Sequence, residues 1–177
     1  MIKYLGVIFI FIFNSNNNVT AQVTNESSLL DQNDHSHKPI TVPEKSPRPT
    51  LSIEIYKDAI SGYNLKIITN YYSLVVPPKE ILNISKLMLP TINKETGFIE
   101  GHAHLYLNGK KIRRLYAYDT HIPDELFLKG INQITVSINN HAHMYWVIDE
   151  KPILATLFID PTKRKPIIYR FESFPIK

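Results

Sequence analysis

The chain of 177 residues has no cysteine and only six glycines. Without a thiol there is no disulfide, no Cys-ligated zinc, no thiolate-bound copper, no cysteine nucleophile and no acylated-cysteine anchor. The sequence contains no glycine-rich phosphate loop, no Gly-x-Ser-x-Gly elbow and no His-Glu-x-x-His helix, so the common hydrolase and nucleotide-binding signatures are missing. A non-enzymatic role is the expectation, with a histidine-ligated copper redox enzyme as a minor alternative. Charge of one sign is scarce too, since the net charge is only +4. The small cluster Lys163-Arg164-Lys165 reads as a solvated turn, and nucleic-acid binding is not expected.

The longest uncharged apolar run, Leu5 to Phe13, is too short to span a bilayer. With Lys3 before it and Val19-Thr20-Ala21 after it, residues 1–21 are expected to be a signal peptide cleaved before Gln22. That terminus would not suit a copper site that uses an amino-terminal histidine. The mature protein is therefore expected to be secreted or periplasmic, without a membrane span. Residues 22–49 are rich in Ser, Asn and Pro and are expected to form a disordered leader. The leader carries a His35-Ser36-His37 pair suited to weak metal capture.

From residue 50 to 177 the pattern changes to short runs of Ile, Val, Tyr, Thr and Leu broken by turn residues, the signature of an all-β domain. Strands are predicted at Leu51–Tyr56, Tyr63–Asn70, Phe98–Leu107, Lys111–Tyr118, Gln133–Ile138, Ile153–Ile159 and Pro166–Phe171. A short helix is predicted within 79–87. Seven such strands fit an antiparallel β-sandwich of cupredoxin-like or immunoglobulin-like topology. Asn108-Gly109 predicts a type I′ hairpin turn. Continued regularly from Leu107 opposite Lys110, the hairpin sets Leu105 opposite Ile112, His104 opposite Arg113 and His102 near Leu115. Its apolar face would then carry Leu105, Leu107, Ile112 and Tyr116. The other face would carry His102, His104, Tyr106, Lys111 and Arg113, with the histidines on the outer surface or at its rim.

Five of the seven histidines fall between Gly101 and Met144. His102-Ala103-His104 is echoed by His141-Ala142-His143, and His121 lies between them. Alternate residues of a strand share a face about 7 Å apart, so each His-x-His pair can offer two imidazoles to one ion. Imidazole suits copper and zinc, and the thioether of Met144 would shift preference toward Cu(I). The leading ligand set is His102, His104 and His141, followed by His121 and His143, with Met144 the weakest candidate. Taken singly, each histidine is better read as a surface or hydrogen-bonded residue; two pairs together favour a metal site.

The run Gly101-His102-Ala103-His104-Leu105-Tyr106-Leu107-Asn108-Gly109-Lys110-Lys111 resembles a family of small secreted bacterial domains with a Gly-His-Ala-His-Leu-Tyr-x-Asn/Asp-Gly-x-Lys signature. Gly62-Tyr63-Asn64-Leu65, His121-Ile122-Pro123 and Ile138-Asn139-Asn140-His141 are similar to further family stretches, and together the resemblance spans about residues 51–160. It implies a cupredoxin-like sandwich outside the cytoplasm with a link to metal, copper first. This chain departs from the pattern by lacking an Asp before the later histidine and by adding His143-Met144, so either His141 or His143 can be the later ligand. The function expected is envelope metal homeostasis or delivery, with a metal ion and an envelope protein as partners. The alternative is an interaction module whose His/Tyr/Arg face recognises a protein or glycan.

Overall fold

Alternation of buried and more exposed residues at period two is clearest over Tyr63–Ile67 and Asn132–Val136 of the computed structural model, which describes residues 38–77, 79 and 83–176. Strands β2 (Thr50–Lys57), β3 (Tyr63–Asn70) and β8 (Asp119–Ile122) form a three-stranded antiparallel sheet in the order β2-β3-β8. The larger sheet is built around β6 (Ile99–Leu107), which pairs with β7 (Lys110–Leu115) on one edge and β9 (Asn132–Asn139) on the other. Beyond β9 lie β12 (Leu154–Ile159) and β13 (Ile167–Glu172), all antiparallel. β4 (Tyr72–Leu74) and β5 (Thr91–Ile92) flank the start of β6, the first of them in parallel.

Leu51, Ile53, Leu65, Ile67 and Ile122 of the small sheet share one buried core with Leu105, Ile134, Val136, Ile138 and Leu157 of the large one. The protein is an all-β sandwich, as its sequence pattern implies. β3 spans the predicted residues, five of the other six predicted strands are offset by one residue at one or both ends, and β7 stops three residues short of its predicted end. The predicted helix contracts to α1 (Ile84–Leu87), whose start is held by the Asn83 side chain accepting from the Ser85 amide (2.9 Å). No helix among the described residues is long and apolar enough to cross a membrane.

Three expectations are corrected. Residues 38–49, read as the end of the leader, contribute β1 (Pro39–Thr41), which pairs in parallel with β10 (Tyr145–Ile148). The prolines permit this because a parallel edge strand leaves part of its amide row unused. The sandwich therefore begins before residue 50. The signal peptide and the His35/His37 pair lie outside the described residues.

The predicted 111–118 strand ends at Leu115, and residues 116–118 bend away from it. The chain leaves the large sheet after Leu115 and continues as β8 in the small one.

The hairpin register also differs. Asn108 and Gly109 both have positive φ (52° and 79°), as the I′ turn requires, and Leu107 faces Lys110. Beyond Tyr106 the register shifts, so that Leu105 faces Arg113, His104 faces Arg114 and Ala103 faces Leu115. Ile112 is the extra residue of a β-bulge. The bulge turns Leu115 into the core, where it is 5% exposed. A regular ladder would have put it on the histidine face.

Candidate metal centre

Odd-numbered residues of β6 (Ala103, Leu105, Leu107) point into the core, and the even-numbered ones (His102, His104, Tyr106) point to the opposite face. On that face β9 places Asn139 opposite His102 and Ser137 opposite His104. The face is outer by topology, yet His102 and His104 are only 1% and 0% exposed. This corrects the expectation of accessible surface histidines. The turn 140–144 between β9 and β10 brings His141 and His143 beside them and makes the outer face a second interior.

The turn is held by its own asparagines. Asn140 accepts from the His143 amide through its carbonyl (3.0 Å) and from the Met144 amide through its side chain (2.9 Å), and its amide donates to Met144 O (2.9 Å). The Asn139 side chain donates to His143 O (2.9 Å). His143 adopts φ 70°, a left-handed conformation unusual for a non-glycine residue. Its ring packs 5.0 Å from that of His102 and 5.4 Å from that of His104.

Below the site, the buried Tyr72 hydroxyl shares its proton between Asn139 O (2.7 Å) and His102 O (3.0 Å), tying β6 to the end of β9. Burial pushes the Tyr72 phenol well above its ordinary range, so it remains a donor. A Cβ on Gly101 would lie 2.1 Å from Asn139 O and 2.5 Å from the Tyr72 hydroxyl. Glycine at the head of the His-x-His motif is thus a packing requirement of this junction. Nothing in the sequence marks Tyr72, and Gly101, Asn139 and Asn140 carry a signal only through their places in the stretches of resemblance.

The Nε2 atoms of His102 and His104 are 2.9 Å apart. One ring nitrogen donates to the other, in the direction that the tautomers set. The same spacing suits an ion, because two nitrogens each about 2.05 Å from a metal and 2.9 Å apart subtend roughly 90° there. Ligand atoms of His102, His104 and His143 all lie within 4.8 Å of one another. Burial, then the nearby histidines and Arg114, pushes His102 down to about 2, so it stays neutral and able to ligate at any ordinary pH. If both Nε2 atoms ligate, each ring keeps its proton on Nδ1, where the Tyr106 hydroxyl, 3.3 Å from His104 Nδ1, can accept it. His102 Nδ1 has no hydrogen-bond partner among the described residues. Leaving such a group unsatisfied costs about 1–3 kcal/mol, and ligation through Nε2 would leave that cost in place.

The other candidates are placed differently. His141 is buried beside the cluster, its ring 6.5 Å from that of His102 and nearly parallel to it, but it is not one of the three convergent ligands. His121 lies on β8 in the small sheet, exposed and bonded to the Asn64 side chain (3.2 Å). The break after Leu115 put it there. Met144 is partly buried, and its main chain is bonded to Asn140 within the turn. Tyr116, expected on the core face, packs 5.4 Å from the His102 ring because of the bulge. Arg113 for the same reason moves away from the histidine face and is exposed opposite Leu105.

The site can hold a metal ion on three imidazoles. No protein-family model, curated protein or solved structure matches this chain.

Proposed function

We propose that the protein is a metal-binding sandwich of the cell envelope, with copper as its ion ahead of zinc, acting in metal homeostasis or delivery. The convergence of His102, His104 and His143, the first two of them buried, carries this reading. An all-imidazole donor set suits copper and zinc and is poorly suited to calcium or magnesium, which take oxygen ligands. The roughly 90° angle implied by the Nε2 spacing is compatible with tetragonal copper and narrower than the tetrahedral angle zinc prefers. The apolar amino-terminal run supports an extracytoplasmic location, and the signature Gly101–Lys111 supports kinship with secreted cupredoxin-like domains.

The test is titration of chelator-stripped protein with Cu(I), Cu(II) and Zn(II) at neutral pH, with a His35→Ala/His37→Ala variant to subtract binding by the leader. One tight equivalent that survives in that variant and disappears in His102→Ala/His104→Ala supports the reading. Its persistence without the strand histidines overturns it.

A second reading has its own observation. Tyr106, Thr135, Ser137, Tyr145 and Leu154 line a shallow groove of ≈ 360 Å³ on the histidine-bearing side of the large sheet. An interaction module would use that groove for a protein or glycan, with the histidines as packing. Metal-free protein that retains partner binding after loss of His102 and His104 would favour this alternative.

A further inference from the structure

The turn between β9 and β10 brings two histidines to the centre, and only one of them is among the convergent ligands. His141 is 4% exposed, and neither of its ring nitrogens has a hydrogen-bond partner among the described residues. A buried imidazole with both nitrogens unsatisfied calls for an explanation, and an ion to be bound is one of the few available. Its neighbour is the ligand cluster itself: the ring lies 6.5 Å from His102 at 25° between planes, compared with 5.0 Å for His143.

The buried ring has no hydrogen-bond partner competing for its lone pair among the described residues. The turn that carries it is short and closed mainly by Asn139 and Asn140. Within it, His143 occupies the left-handed region.

Resting on the metal reading above, we propose that His141 is a fourth ligand, drawn onto the ion held by His102, His104 and His143. A three-imidazole site would thereby become a closed four-imidazole site, the form that holds an ion rather than presenting it to substrate. Movement of His141 in and out would open and close the coordination shell for transfer. Of the three convergent ligands, His143 is the partly exposed one, so the ion's route in passes along the turn that His141 shares.

The test uses cobalt(II) as a spectroscopic probe on the full chain, titrating the wild type, His141→Phe, His141→Ala and His102→Ala, with circular dichroism to confirm the fold of each. Phe keeps the ring volume and removes both nitrogens. In the wild type, one equivalent with the intense visible bands of four-coordinate cobalt is expected. His141→Phe and His141→Ala should still take one equivalent, at least about 10-fold more weakly, with bands of lower intensity. Unchanged affinity and spectrum in both His141 variants, with binding lost in His102→Ala, would remove His141 from the shell and leave the three-histidine site standing. Absence of any cobalt, copper or zinc equivalent in the wild type would overturn the metal reading and this inference together.

Discussion

The molecule contains the same three-residue motif twice on different scaffolds, and the outcomes differ. His102-Ala103-His104 sits in the middle of a sheet, hydrogen-bonded to neighbours on both edges. The pleat sends both rings to one face, and they lean together until their Nε2 atoms are 2.9 Å apart. His141-Ala142-His143 sits in a turn with one left-handed residue, so its alternation is broken. His143 joins the cluster while His141 lies to one side. A strand converts His-x-His into a geometric pair automatically; a turn gives two separately aimed rings. The sheet makes the strand pair the rigid half of the site, and the hydrogen bonds of Asn139 and Asn140 aim the turn pair.

The comparison can be broken most severely at the rigid half. His102→Ala/His104→Ala should abolish tight metal binding while the protein still folds, as read by competition titration and far-UV circular dichroism. His143→Asn is the matching change in the turn, because asparagine tolerates the left-handed backbone but supplies no imidazole. Its metal affinity should drop by more than the roughly 100-fold at the top of outer-shell effects, with little change in thermal stability.

Acidification separates the histidines by burial. His102 titrates near 6.5 in the unfolded chain and at about 2 in the folded one. Below pH 6.5 the unfolded state therefore takes up a proton that the folded state does not, and stability falls as the pH falls. This residue alone should remove about 2 kcal/mol between pH 7 and pH 5, and urea unfolding at the two values should show that His102→Phe flattens the dependence. Above pH 6.5 the effect should vanish.

Smaller effects sharpen the picture. Tyr106→Phe removes the oxygen beside His104 Nδ1 and should weaken metal binding about 10-fold without changing stoichiometry, as measured by chelator competition. His121→Ala, on the exposed face of the other sheet, should leave metal affinity unchanged and shift unfolding free energy by no more than about 0.5 kcal/mol. A clear loss of binding in His121→Ala would mean that the cluster on the large sheet is not the metal site.

Much of the sandwich was legible because a strand buried on one face writes its structure at period two. Tyr63–Asn70 and the I′ turn at Asn108-Gly109 are of this kind. What could not be read were the places where local signals are short or reversed. β4, β5 and β11 (Lys151–Pro152) span two or three residues each, too few to show a period. The turn leading into β11 uses Asp149-Glu150 at φ 50° and 63°, where Asn-Gly would have announced it. The bulge at Ile112 has no sequence mark, because a β-branched apolar residue reads as continuing strand.

For the site, sequence alone excluded thiolate ligands, since the chain has no cysteine, and determined that His102 and His104 share a face, since strand geometry is local. Tertiary structure decided the rest. Which later histidine converges depends on the left-handed backbone at His143. His121 was excluded when the chain crossed between sheets after Leu115. The neutral, buried state of His102 required a turn forty residues away to fold over it. Burial, unlike face, is a property of what lies opposite, and no local pattern encodes that.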